Sequence, residues 1–412
     1  MAPSPPPSHQ KGSSGVGRIL LPAIVLALAV LYKVYLHNIL ILGLNIGFTV
    51  QPISDFPYDC QKIEHPLLTS CEDVYLDAPG RKLYAACGDL QARKGWCPGG
   101  GRMDPSARSG SNWISVLDVD RPGDDGLFGV RKVEIGGGFS GDLDLHGFDV
   151  KQLEDGRVRF WLINHRPPVG ENGEVLDASV FGANSTIEVF DLDQRREVLE
   201  YVKTIASEAV VTPNNLAVDD DGVGVVVTND HSRKSGLMKK FEIIVGGGSV
   251  AHCRTDSGEC RIVAEKGFHS PNGVTRGKDG LFYVVNAAAG KVLVYELVEG
   301  QVRRVDEIDT GFAMDNLSVD EEGSIIAAAF PDLMGVLKAF DNPNTVNVAS
   351  AVLRITKGEV DGKTQYEVEK IIEDKEGKML STITTAANDL QSGQLFTGGI
   401  LTPFLTVCKK RA

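Results

Sequence analysis

SCEDVYLDAPG, residues 70–80, sets two carboxylates, Glu72 and Asp73, directly before a short apolar run and a glycine turn. The same phrase recurs as TPNNLAVDDDG ending at Gly222, SPNGVTRGKDG ending at Gly280 and MDNLSVDEEG ending at Gly323. In each, a polar residue stands eight positions before the glycine: Glu72, Asn214, Asn272 and Asp315. The glycine then opens a second run, KLYAAC, VGVVVTN, LFYVVN and SIIAAA respectively. This is strand, tight turn, strand. A looser copy, HGFDVKQLEDGRVRFWLIN, begins at His146, and a sixth, TTAANDLQSGQLFTGG, places Thr385 eight before Gly393. Hairpin units repeating every ~40–70 residues predict an all-β, six-bladed β-propeller, because a blade needs roughly 40–50 residues. Residues 194–210 carry only a weak helical signal.

Composition agrees. A chain of 412 residues with 42 % hydrophobic content can bury a large core. Forty-six glycines suit a fold of many turns. A net charge of −13 leaves no basic excess to neutralise phosphates and argues against a nucleic-acid partner. The seven cysteines form no C-x-x-C pair, which disfavours zinc. Cys87/Cys97 and Cys253/Cys260 each bracket a short loop containing glycine and are expected as local disulfides in an oxidising compartment. A circular array must also close. Cys60 precedes the first copy and Cys408 lies four residues from the end, so a disulfide between them would tie the two ends together, leaving Cys71 unpaired.

The N-terminus reads differently. Residues 1–17 are rich in Pro, Ser and Gly and are expected to be a disordered tail. Residues 18–44 are apolar, with an unbroken stretch from Ile19 to Tyr32. Lys11 and Arg18 on its N-terminal side favour a cytosolic N-terminus. We read this as a leader helix acting as an uncleaved signal-anchor, with cleavage near Ala27–Ala29 as the alternative. Residues 45–412 would then be lumenal or extracellular, whether membrane-anchored or secreted. The sequon Asn184-Ser185-Thr186 fits either route, with Asn184 as the glycosylation site.

In a propeller the innermost strand of each blade lines a central channel, so equivalent positions converge. Glu72, Asn214, Asn272 and Asp315, with neighbours Asp73, Asn215 and Asn316, therefore form a candidate metal site. Carboxylate and amide oxygens without thiolate suit a hard cation, calcium above all. His146 begins the first strand of its unit and His165 ends the second, in WLINHRPP, which would bring both to one channel mouth. A histidine pair beside a metal can take a proton from water. Asp230 and His231, in TNDH, end another second strand and are candidates to support the site from behind.

The motifs SCEDVYL, LDLHGFDV, INHRPP with NSTIEVF, PNNLAV, TNDH, SPNGV with GLFYVVNAAAGKVLVYEL, and MDNLSVD resemble, in this order, those of the serum paraoxonase/arylesterase family over roughly residues 50–410. The resemblance implies a six-bladed propeller with two calcium ions that hydrolyses lactones and aryl esters, with an N-terminal hydrophobic leader and a disulfide joining the ends. It implies a catalytic calcium at Glu72, Asn214, Asn272, Asp315 and Asn316, and a deeper structural calcium at Asp73, Asn215 and the Phe148 carbonyl. His146 matches the family's proposed general base and His165 its partner. Four departures stand out. Asn215 replaces an aspartate, which weakens or empties the structural site. Ala329 and Phe330 replace a Cys-His pair. Residues 166–185 form a longer loop, expected to cover the channel mouth, and residues 88–112 are also unusual. The expected function is calcium-dependent hydrolysis of a small lactone or ester, with a gluconolactonase-like metal hydrolase, or a non-catalytic calcium-stabilised lumenal propeller that binds a partner, as alternatives.

Overall fold

The computed structural model describes residues 15–37, 39–44, 46–343 and 345–411. The body is mostly β. Six hairpins open on six inner strands: β1 (Asp73–Asp77), β2 (Leu145–Gln152), β3 (Pro213–Val218), β4 (Pro271–Arg276), β5 (Ala313–Val319) and β6 (Thr385–Asp389). Each inner strand begins an antiparallel four-stranded array. The arrays begun by β1 and β2 are joined into one eight-stranded sheet by a short parallel pairing, Val198 against Glu134 and Leu199 against Ile135. The array begun by β6 is completed by strand Tyr58–Ile63 from the other end of the body, and Cys60 faces Cys408 in that pairing. Each inner strand contacts the next, and β6 returns to β1.

Why the second run of each repeat is so apolar is now plain. Alternate residues of a strand point to opposite faces, and here both faces are covered. In strand Lys82–Cys87, Tyr84 and Ala86 pack toward the β2 array, whereas Leu83, Ala85 and Cys87 pack toward the β6 array. In strand Ile325–Phe330, Ile325, Ala327 and Ala329 face the β4 array, while Ile326 and Ala328 face the β6 array. The core is therefore six inter-sheet clusters rather than one centre.

Three disulfides are present. Cys60–Cys408 and Cys253–Cys260 form as expected. The Cys87–Cys97 expectation is corrected: Cys87 pairs with Cys71, and Cys97 is a buried free thiol. Register explains it. Asp73 pairs with Ala86, so the hairpin carries Cys87 back to the chain just before β1, where Cys71 lies. Within 194–210, residues Val198–Ile205 form a strand.

The tail expected over 1–17 lies outside the described residues up to residue 14. Helix α1 spans Gly15–Leu31, and turns of π-helix follow at Tyr32–Leu36 and Ile39–Gly43. No described helix is long and apolar enough to cross a membrane. The apolar side chains of α1 from Leu20 onward are largely exposed. The two π-helical turns contact, respectively, the short helices Leu237–Val245 and Leu333–Ala339, which themselves expose Leu237, Met238, Phe241, Met334 and Leu337.

Candidate active site

The inner strands carry their polar residues at interruptions in pairing. Register shifts fall between Leu145 and Phe148, Pro213 and Leu216, Pro271 and Val274, and Met314 and Leu317. These intervals hold His146, Asn214 and Asn215, Asn272, and Asp315 and Asn316. A bulge takes residues out of the ladder and re-aims their side chains, so two adjacent residues on one strand both serve the channel. Close approach of neighbouring strands requires glycine at two of these points. A Cβ on Gly147 would lie 2.6 Å from the Asn214 carbonyl oxygen, and one on Gly273 2.5 Å from Asn316 Cα.

The outer level gathers Glu72, Asn214, Asn272, Asp315 and His146. Glu72 Oε1 lies 3.7 Å from His146 Nε2 and accepts from Asn316 Nδ2 at 2.8 Å. Its carbonyl accepts from Thr384 at 2.6 Å. Asn214 Nδ2 approaches His146 Nε2 at 3.4 Å. Three oxygens of this level, Glu72 Oε2, Asn214 Oδ1 and Asn272 Oδ1, are buried without a hydrogen-bond partner. Buried acceptors are ordinarily satisfied, so these three, brought together from three hairpins beside Asp73 and Asp315, are the oxygens that could hold a cation. Burial, then Asp73 and Asp315, pushes the Glu72 carboxyl well above the usual range. Burial, then Asp73, raises Asp315 to about 8. Among the described residues no three His, Cys, Asp or Glu form a metal-binding cluster. The outer level instead takes much of its oxygen from asparagine amides, which suits calcium.

The inner level differs. Asp73 Oδ1 accepts from Val74 N and Thr385 Oγ1, and Oδ2 from Phe148 N and Asn215 Nδ2. Asn215 Nδ2 also donates to Asn316 Oδ1 at 2.6 Å, and its Oδ1 accepts from Leu216 N. Asp73 and Asn215 thus spend their side-chain oxygens on neighbouring donors, Phe148 N among them, and do not fit an ion between them.

His146 and His165 lie with ring centroids 4.9 Å apart. Ser185, in the sequon, contacts His165 Nδ1 at 2.9 Å. His146 Nδ1 and His165 Nε2 have no hydrogen-bond partner. Burial holds both imidazoles neutral, His146 well below its usual range with help from His165 and Arg93, His165 at about 3. Asp230 is buried, which alone would raise its pKa, but the adjoining His231, 2.7 Å away, holds it low.

The sequence did not single out Arg93 and Trp96, and they matter. The side chain of Asp89 caps helix α2 (Leu90–Gly95), and the hairpin Trp96–Cys97/Arg102–Met103 follows. Arg93 is buried and donates to the Leu145 carbonyl at 2.7 Å and to Ser70 Oγ at 3.2 Å. Trp96 Nε1 donates to the His165 carbonyl at 2.9 Å. The turn reaches the site itself: a Cβ on Gly99 would sit 3.3 Å from His146 Nε2 and 3.4 Å from Asp230 Oδ2. The cover over the histidines is therefore this segment, with Ala178 and Ala183 of the 166–185 loop packed against Trp96. A cavity of about 10 Å³ remains beside His165, Ser185 and Asp230, no more than one water's worth. His146 and His165 are 4 % and 2 % exposed, so both histidines are covered, while Asn272 and Asp315 stay partly exposed.

Comparison with known proteins supplies the family. The human serum paraoxonase/lactonase 3 is 30 % identical over 230 residues, 55 % of this chain and 59 % of that protein. Human serum paraoxonase/arylesterase 1 is 28 % identical over 214 residues, 51 % of this chain and 54 % of that protein. The chain thus spans somewhat over half the length of these relatives. Among solved structures, a luciferin-regenerating enzyme aligns with a TM-score of 0.48 at 12 % identity over 85 % of this chain and 95 % of that one. A gluconolactonase-like protein aligns at 0.43 and 13 % over 85 % and 92 %. The arylesterase family pattern matches residues 115–403, and the chain belongs to that family.

Proposed function

We propose that the chain is a calcium-dependent hydrolase of lactones or aryl esters, built as a six-bladed propeller whose blades are the six arrays. The observation that carries this is the trio of unpartnered buried oxygens, Glu72 Oε2, Asn214 Oδ1 and Asn272 Oδ1, around a neutral His146. Glu72, Asn214, Asn272 and Asp315 would hold the catalytic calcium; Asn316, expected as a further ligand, has its oxygen on Asn215 Nδ2 and its Nδ2 on Glu72, and would brace that carboxylate instead. Bound there, the ion would supply positive charge to stabilise negative charge on an ester carbonyl oxygen. The chain's own residues do the rest. His146 Nε2, unprotonated, accepts a proton from the attacking water. Asn214 and Glu72, at 3.4 and 3.7 Å, fix that nitrogen at the edge of the ligand set. His165, anchored by Ser185, packs against the base. The hairpin over the site excludes bulk water.

The family and the disulfides support a secretory route. The apolar 18–44 segment would anchor the protein to a membrane, with the catalytic body lumenal or extracellular. Asn184, exposed at the start of its strand, would carry the glycan.

Hydrolysis of phenyl acetate and of γ- and δ-lactones by residues 45–412, with calcium and after chelation, tests the reading. Calcium-dependent turnover establishes it. The closed cover favours one second reading, a calcium-stabilised propeller without turnover. A folded, calcium-loaded protein inert toward the whole panel would support that instead.

A further inference from the structure

We infer that the inner level of the channel is closed by an amide rather than by a metal ion, so that this protein carries a single calcium, at the outer level. The inference rests on the outer-site reading above and concerns what lies beneath it.

The argument is a comparison of lone pairs. A calcium ion needs six to eight oxygen atoms with free lone pairs directed at one point. The outer level offers three buried oxygens with no partner. At the inner level every side-chain oxygen of Asp73, Asn215 and Asn316 already accepts at least one hydrogen bond. Both Asp73 oxygens are saturated, each by two donors: Val74 N at 2.9 Å and Thr385 Oγ1 at 3.0 Å on one, Phe148 N at 3.2 Å and Asn215 Nδ2 at 3.1 Å on the other. Asn316 Oδ1 is taken by Asn215 at 2.6 Å.

Asn215 decides the matter. Its NH₂ group stands between the Asp73 carboxylate and the Asn316 carbonyl and donates one hydrogen to each. These are two oxygens from the strands that flank β6, β1 and β5, which an ion at this level would otherwise have to bridge. The amide does that bridging with partial positive charge on two N–H groups. Its own oxygen is turned away onto Leu216 N. A carboxylate at position 215 has no hydrogen to give. It would set a second negative group against Asp73 in a buried space, which demands a cation. An asparagine removes that second charge and leaves Asp73, raised by burial to about 7, as the one carboxyl among Asp73, Asn215 and Asn316.

The arrangement has a consequence for the outer site. Asn316 donates through Nδ2 to Glu72 Oε1 while its oxygen is held by Asn215. The chain Asp73–Asn215–Asn316–Glu72 therefore orients an outer-level carboxylate through hydrogen bonds donated by two amides, with no ion in the chain. Chelation should strip the outer ion and leave this brace intact.

Equilibrium dialysis of the full chain against calcium, with bound metal counted per chain, tests the inference. One calcium is expected, lost in Glu72→Gln and retained in Asp73→Asn. Asn215→Asp should raise the count to two. Because Asp73→Asn disturbs four hydrogen bonds and can fail to fold, the wild-type count and the Asn215→Asp count are decisive on their own. Two calcium ions per wild-type chain, one of them surviving Glu72→Gln, overturn the inference and leave the outer-site reading standing. No calcium in the wild type overturns the outer-site reading. The inner level is then judged by Asn215→Asp alone, where failure to gain an ion refutes the assigned role of the amide.

Discussion

Breaking the Cys60–Cys408 disulfide should cost more stability than breaking either of the others, although it joins two strands already paired along six register positions. The reason lies in the unfolded chain. The bond spans a sequence separation of 348, against 16 for Cys71–Cys87. In the chain-entropy description, closing these loops is worth about 6 and about 3 kcal/mol respectively at 25 °C. The difference, about 3 kcal/mol, is the upper end of the expectation. Cys71 and Cys87 are both fully buried in one apolar cluster, so truncating them adds a cavity cost, whereas Cys60 is only partly buried. Cavity terms therefore work against the predicted order. The assay is urea unfolding of the Cys60→Ala/Cys408→Ala and Cys71→Ala/Cys87→Ala proteins, followed by tryptophan fluorescence and circular dichroism. Ring opening should also weaken calcium binding, because the array it releases carries Thr384 and Thr385, which brace the Glu72 carbonyl and the Asp73 carboxylate. A loss for the long-range pair no larger than for the local pair would refute the view that ring closure is stabilised through the unfolded ensemble.

Three further outcomes follow from the site. His146→Gln should keep its calcium while kcat falls about 10²–10⁴-fold, the usual worth of a positioned base; undiminished lactone hydrolysis would move that role to a carboxylate. Trp96→Phe leaves the buried His165 carbonyl without its donor at a cost of about 1–3 kcal/mol, so hydrogen exchange across 96–103 should quicken about 5- to 150-fold, and an unchanged rate would mean the indole bond does not hold the cover. Calcium-free protein should lose thermal stability as pH rises from about 7 to about 8.5. Glu72 and Asp315 have folded pKa values raised above their unfolded ones, so the folded state holds protons that the unfolded chain has already released, and stability drains as the pH passes through the folded values. The two histidines do not contribute in that window, being already neutral in both states. Saturating calcium should flatten the slope, and calcium binding near pH 7 should release protons; a stability that rises with pH in chelator would contradict the raised carboxylates.

How much of this could be read in the sequence depended on the distance over which each feature is encoded. The hairpin phrase is local, and its six copies gave the array number and the offset at which Glu72, Asn214, Asn272 and Asp315 stand. The ring-closing Cys60–Cys408 bond followed from the need for closure. Cys87–Cys97 is favoured by loop length alone, but hairpin register sets Asp73 opposite Ala86 and so brings Cys87 to Cys71. The bulges at His146, Asn214, Asn272 and Asp315 have no residue signature beyond the polar pair itself. Arg93 and Trp96 were out of reach for another reason. Their partners, Leu145 and His165, lie 52 and 69 residues away, and nothing near either position announces the contact.

That pair of contacts also bears on how the site can work. Trp96 holds the carbonyl of His165, and Arg93 holds the carbonyl of the residue before His146. The segment that shuts the channel mouth is thus the same segment that fixes the backbone at both histidines. Gly99 meanwhile occupies the approach to His146 Nε2. A substrate larger than a water must displace this turn to reach the base, and displacing it by swinging the whole hairpin would release the two backbone anchors as well. The arrangement favours movement confined to the turn, at Pro98–Gly101, where three consecutive glycines follow a proline and Gly101 already takes a positive φ of 72°. Such a turn can shift while Arg93 and Trp96 stay docked, so that access is gained without loosening the histidines that the chemistry needs in place.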